Sequence, residues 1–309
     1  MMYGVIDIGS NTIRLSLYKK TDSSFKLMLN KKNMAGLAGH VSRNGNLSKK
    51  GIKKTIGILR AYRQILNNIE VKEVFVFATA SLRNVKNTQE AIKIINEQTG
   101  FDIDLVSGEQ EAIYDFVGAT HVMNLDKGIL IDIGGGSTEL VFYSNGEIEK
   151  AVSLPIGSLS LYTKFVKNIL PTKKELSKMK DCINDELKTI EISGEYQIIC
   201  GVGGTIRGAC KLNNEIFDMV SGNRNIEIKR LNEMLRDFSE ERKYAVQKII
   251  KNIPDRIHTI IPGMTILESI SEKYNSETIV VSEYGIREGY LYTKLFLEGS
   301  NSDSSDSEQ

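Results

Sequence analysis

The tripeptide Asp7-Ile8-Gly9 returns as Asp132-Ile133-Gly134, 125 residues further along the chain. At that offset Val5-Ile6 faces Leu130-Ile131, Leu15 faces Leu140 and Tyr18 faces Tyr143. Each copy reads as an apolar strand, D-I-G, a turn of small polar residues and a second strand. In the first copy Ile13, Leu15 and Leu17 alternate with Arg14 and Ser16, the period of a half-buried strand. A supersecondary unit repeated at domain spacing constrains the chain to two similar α/β lobes. A length of 309 residues suits two domains of roughly 150 each.

The pattern around each copy supports that plan. A third strand is expected at 25–29, then a helix over 48–68 capped by Ser48, with Ile52, Ile56, Leu59 and Leu66 at helical spacing. Strands over 74–79 and 103–106 alternate with helices over 88–99 and 109–122. In the second half Thr172 and Glu175 form a capping box for a helix over 172–190. Strand 198–200 runs into Gly201-Val-Gly-Gly-Thr205, and a helix is expected from Ile206. Helices are expected over 229–238, 240–251, 262–274 and 285–297, with a last strand at 278–281. The tail 299–309 has no apolar residue and reads as disordered.

Charge and cysteine content exclude several classes. Lys and Arg number 40 against 39 Asp and Glu, so net charge argues for neither a nucleic-acid nor a membrane-surface protein. No apolar run reaches the length of a membrane span, and no secretory leader is read at the N-terminus. Cys182, Cys200 and Cys210 are odd in number and contain no C-x-x-C, which fits a reducing cytoplasm. Three scattered histidines, His40, His121 and His258, make no metal box and read as structural.

The chemistry is expected at the glycine-rich turns. Ser10, Asn11 and Thr12 follow the first D-I-G, and Gly134, Gly135, Gly136, Ser137 and Thr138 belong to the second. Small residues let backbone N–H groups approach a phosphate, and the hydroxyls add donors. Gly203, Gly204 and Thr205 supply a third such loop. Asp7 and Asp132 each stand at a strand end, within reach of a metal ion or a water. None of the three loops is a Walker A or a dinucleotide fingerprint.

Six motifs together resemble the exopolyphosphatase/guanosine pentaphosphate phosphatase (Ppx/GppA) family of the actin-like ATPase superfamily. They are Asp7-Ile-Gly-Ser-Asn-Thr12, Ala78-Thr-Ala-Ser-Leu-Arg83, Val106-Ser-Gly-Glu-Gln-Glu-Ala112, Ile131-Asp-Ile-Gly-Gly-Gly-Ser-Thr-Glu139, Gly201-Val-Gly-Gly-Thr205 and Tyr284-Gly-Ile-Arg-Glu-Gly289. Two positions depart from the family's pattern, Glu283 and Asn84-Val85, and neither is assigned chemistry.

The resemblance implies two actin-like (ribonuclease H-like) lobes with an active-site cleft between them: 1–122 with 287–298, and 123–286. It implies that Glu111 acts as general base on water, with Arg83 gripping phosphate oxygens. Asp132 and Glu139, with Asp7, would hold Mg²⁺ or another divalent cation. The implied substrate is inorganic polyphosphate or pppGpp, with no nucleic acid and no membrane as partner, and a homodimer left open. A small-molecule kinase and a non-catalytic nucleotide-sensing regulator of the same fold are the rival readings. Arg287 and Glu288 are read as a structural pair. Lys49, Lys50, Lys53 and Lys54 form one stripe of a helix, a solvated face that would also suit a polyanion.

Overall fold

The computed structural model describes residues 1–21, 24–123 and 126–297; the tail expected to be disordered at 299–309 lies outside the described residues. Contacts divide the chain into two units, Met1–Glu111 with the residues from Lys294 on, and Ala112–Thr293.

The first unit opens with β1 (Met2–Ile8), β2 (Thr12–Lys20) and β3 (Phe25–Met34), an antiparallel meander. Helix α1 (Lys49–Leu66) leads to β4 (Glu73–Ala78), the short α2 (Ala80–Arg83), α3 (Thr88–Thr99) and β5 (Asp104–Leu105). The sheet order is β3-β2-β1-β4-β5, with β4 and β5 parallel to β1. Ile6, Ile8, Ile13 and Leu15 on the sheet pack with Ile52, Ile56 and Leu59 of α1 and Ala91 and Ile95 of α3. Each such aliphatic side chain contributes about 1.5–3 kcal/mol on full burial. The Tyr62 hydroxyl donates to the carbonyls of Ile13 (2.7 Å) and Lys31 (3.1 Å), and burial pushes its pKa up to about 12.

Helix α4 (Gly108–Thr120) crosses from the first unit to the second. The second sheet has β6 (Lys127–Ile133), β7 (Thr138–Ser144), β8 (Glu147–Leu154), β9 (Ile198–Val202), β10 (Asn225–Glu227) and β11 (Thr278–Val281). The helices are α5 (Ser158–Phe165), α6 (Lys173–Lys188), α7 (Gly203–Ile216), α8 (Ile228–Glu240), α9 (Arg242–Asn252), α10 (Ile260–Lys273) and α11 (Ile286–Tyr292). The strand order is β10-β11-β9-β6-β7-β8. Read from β8, that is the first sheet again, with β10 added at the far edge.

The repetition reaches finer detail. Gly9 N–H donates to Thr12 O and Gly134 N–H to Ser137 O, both at 3.0 Å, so the two D-I-G turns close with the same bond. The register of β2 against β3 slips between Leu17 and Tyr18, and that of β7 against β8 between Phe142 and Tyr143. These positions are again 125 residues apart, so even the bulge is duplicated.

The middle of the second sheet is covered on both faces, which is why β6, β7 and β9 carry apolar runs. Ile129, Ile131 and Ile133 face the core under α6, α7 and α10, while Leu130, Val141 and Cys200 pack with Ala112, Phe116 and Ala119 of α4. Helix α4 also meets α11 backbone to backbone. A Cβ on Gly118 would strike Gly285 O, one on Gly289 would strike Tyr114 O, and the rings of Tyr114 and Tyr290 lie 5.3 Å apart edge to face. This crossing holds α11 and most of α4 in the second unit, whereas the sequence reading placed both in the first. From Lys294 on the chain counts with the first unit, where Phe296 stacks on Phe25 at 5.5 Å.

Candidate active site

In the first unit the D-I-G turn is tied down on its carbonyl side. Ala35 and Gly36 N–H groups both donate to Asn11 O at 2.9 Å, and Ala38 N–H donates to Ser10 O at 3.2 Å. Ser10 is buried, Asn11 and Thr12 are half-buried, and Asp7 stands half-buried opposite Arg14 in the β1–β2 register.

Helix α4 begins with a capping box. Gln110 N–H donates to Ser107 Oγ (3.1 Å), and Ser107 N–H donates back to Gln110 Oε1 (3.0 Å). The acid between the two residues of the box, Glu109, is exposed, as a helix-dipole residue should be. Glu111 turns inward and is buried. Arg83, closing α2, donates through Nη1 to Glu111 Oε2 at 2.8 Å and to Val106 O at 2.9 Å. The two residues assigned catalysis therefore meet as an ion pair. The pair fixes where the Glu111 carboxylate points.

In the second unit Asp132 and Glu139 are directly opposed across the β6–β7 hairpin, so both project from the same sheet face. Glu139 Oε1 accepts from Ser153 Oγ at 2.8 Å. The hydroxyls of Thr138 and Thr205 donate to the carbonyls of Ile156 (2.7 Å) and Ile133 (2.8 Å). Both threonines thus brace the loops from within. The loop Gly134–Gly136 receives Ser158 N–H on Gly134 O and the N–H groups of Leu159 and Ser160 on Gly135 O, at 2.8–3.0 Å. Its carbonyls are occupied from behind, and Ser137 is buried.

The Asp132 carboxylate lies against Gly203, which has φ +78° and no space for a Cβ. Gly204 is covered in the same way by the Arg256 guanidinium. Helix α7 starts on these glycines, earlier than the expected Ile206, so the third loop is itself the helix's first turn. Burial pushes the Asp132 carboxyl above its ordinary range, and the positive charges of Arg207, Arg256 and Arg287 pull it back. Burial holds both Arg207 and Arg256 below the ordinary guanidinium value, with repulsion from Arg287 adding to it at Arg207 and repulsion from Arg207 at Arg256. Arg207 is anchored to the carbonyls of Ser282 and Glu283, each at 3.4 Å. Glu288 caps α11 by accepting from Gly285 N–H at 3.0 Å.

Arg207 and Arg256 escaped the sequence reading. Arg207 sits two residues beyond Thr205, a spacing that could have flagged it. Arg256 lies in a Pro254–Arg256 turn with no local signal and reaches Gly204 only through tertiary packing.

Among the described residues no three His, Cys, Asp or Glu side chains form a metal cage. Two same-face carboxylates, one raised by burial, fit instead a hard cation that keeps waters and takes its remaining ligands from phosphate oxygens, the usual habit of Mg²⁺. Cys200 is buried with its pKa pushed up to about 12, so it supplies no thiolate near neutrality. His121 packs on Tyr292 and His258 on Tyr162.

Glycine loops, partly buried guanidinium groups and paired carboxylates on an α/β scaffold define a class of protein that handles phosphoryl groups. Residues 16–298 match the Ppx/GppA phosphatase family, and the chain belongs to that family. Over 296 residues it is 31% identical to the bifunctional 3-dehydroquinate synthase/phosphatase of Fusobacterium nucleatum, covering 90% of this chain but 44% of that relative. The Aquifex aeolicus Ppx/GppA family member superposes with a TM-score of 0.78 at 25% identity, covering 96% of this chain and 98% of that one. A Cytophaga hutchinsonii exopolyphosphatase shares the fold, with a TM-score of 0.82 at 22% identity over 96% and 98% of the two chains.

Proposed function

We propose that the protein is an exopolyphosphatase, releasing orthophosphate from the end of inorganic polyphosphate by attack of water. The observation that carries this reading is Asp132 held against the Gly203 loop among Arg207, Arg256 and Arg287. Every group assigned here addresses phosphate oxygens, a cation or water, which is all that a bare phosphate chain requires. The guanidinium groups and loop N–H donors stabilise charge on the transferred phosphoryl, and little reorganises during the step because all are fixed by packing. Glu111, aimed by Arg83, takes a proton from water as its oxygen bonds to the terminal phosphorus. The bond to the bridging oxygen breaks, and its electron pair stays with the shortened chain. Asp132 and Glu139 are the residues to hold Mg²⁺, which would neutralise phosphate charge, with Asp7 as a further acidic group.

Retention of Glu111, Asp132 and Glu139 supports an enzyme over a nucleotide-sensing regulator, and a water-directed base supports a hydrolase over a kinase. Among the described residues no helix is long and apolar enough to cross a membrane, and the three cysteines are free, which supports a cytoplasmic location. The test is phosphate release from polyphosphate, pppGpp and ATP measured side by side. Polyphosphate is expected to have the highest kcat/KM. Preference for pppGpp would move the assignment to the pentaphosphate phosphohydrolase.

A further inference from the structure

Between Asp22 and Glu70 the chain carries ten Lys and Arg and no acidic residue, in a protein that is otherwise balanced. The fold gathers six cations of this region and its surroundings. Lys49, Lys50, Lys53 and Lys54 lie on the first turns of α1, Arg43 lies on the segment before it, and Lys86 follows α2. All six are exposed, and none makes an ion pair among the described residues. The first turn of α1 contains no acid, so these lysines sit at the positive end of a helix dipole that ordinarily attracts carboxylates. Among the described residues no carboxylate pairs with any of the six, which favours an external polyanion.

The platform beneath is rigid and continuous with the first phosphate loop. The backbone of Lys86 donates to Gly45 O (2.9 Å), and Asn87 clasps Leu47 by two bonds, receiving at 2.8 Å and donating at 3.1 Å. Ser48 N–H donates to His40 O at 2.9 Å, and the segment leading to His40 hangs from Ser10 O and Asn11 O. Lys86 is also three residues from Arg83, the partner of Glu111. The cationic face is thus joined through short covalent and hydrogen-bonded links to both the D-I-G turn and the ion pair.

We propose that this face, Arg43, Lys49, Lys50, Lys53, Lys54 and Lys86, docks the body of a long polyphosphate chain while its end is hydrolysed. The inference rests on the exopolyphosphatase reading and adds to it a docking surface outside the reacting groups. Docking on exposed ammonium groups works by charge neutralisation and counterion release, so it strengthens with chain length and weakens with salt. Burial, and then the charges of Lys54 and Lys50 beside it, hold the His40 imidazole below the ordinary range. Its ring protons are therefore a local reporter of an anion arriving there.

The test uses the full chain with Lys49, Lys50, Lys53 and Lys54 all replaced by Gln. For long-chain polyphosphate the KM is expected to rise about tenfold or more at low salt, with a shallower salt dependence. For tripolyphosphate kcat and KM should be unchanged, and Tm unchanged or slightly higher. In the wild-type protein long-chain polyphosphate should shift the His40 resonance more than tripolyphosphate does. An unchanged long-chain KM, or a His40 shift with duplex DNA and none with polyphosphate, overturns the proposal. If the wild type releases phosphate from neither polyphosphate, the exopolyphosphatase reading fails, and the His40 titration still decides the docking.

Discussion

Two glycines illustrate how differently one residue type serves this chain. Gly203 has φ +78°, and the Asp132 carboxylate fills the place where a Cβ would go. Gly57 lies exposed in the middle of α1, with nothing within 4 Å of its missing Cβ. Gly203→Ala must strain the backbone and displace Asp132, so a loss of about 1–3 kcal/mol is expected, together with loss of activity. Gly57→Ala removes only unfolded-state freedom and should gain about 0.5–1 kcal/mol. Urea denaturation of the two variants should give shifts of opposite sign. A stable, active Gly203→Ala protein would mean that Asp132 does not need its present seat.

At the scale of elements, α6 and α10 are joined by Lys180 Nζ and Glu268 Oε2 at 2.7 Å. Burial pushes the Glu268 carboxyl up, Lys180 pulls it down, Glu272 on the next turn pushes it up again, and the net displacement is upward. A carboxyl raised on folding contributes stability that is complete below its unfolded value and is lost as pH rises through the folded one. At neutral pH the charged Glu268 is therefore held at a cost, and Lys180 is exposed enough to find water without it. Glu268→Gln should keep or raise Tm at pH 7, with the advantage shrinking toward pH 4. A clear drop in Tm at pH 7 would rank the ion pair above the burial.

The whole molecule is a duplicated plan, and that plan is legible in the sequence. The D-I-G repeat marks both hairpins because an apolar strand, a small-residue turn and a second strand are local properties. The Thr172–Glu175 capping box was likewise read from sequence, and it forms, with Thr172 N–H donating to Glu175 Oε2 at 2.8 Å. What escaped depends on neighbours. Strand β8 is half-exposed and rich in Glu and Lys, so its alternation is faint; β3 runs to Met34 because β2 pairs with it that far. Helix α5 is short and opens on Gly157 with no side-chain cap bond. Arg256 becomes part of the site only because α9 and the turn after it fold back over α7, a contact between residues far apart in sequence. The proposed hydrolysis stands or falls on the base.

The direct measurement is steady-state phosphate release from polyphosphate by the wild type and by Glu111→Gln, with folding of both checked by circular dichroism. The account predicts a folded variant whose kcat is lower by about 10²–10⁴, the usual contribution of a positioned general base. Turnover close to wild type would contradict it and remove Glu111 from the reaction.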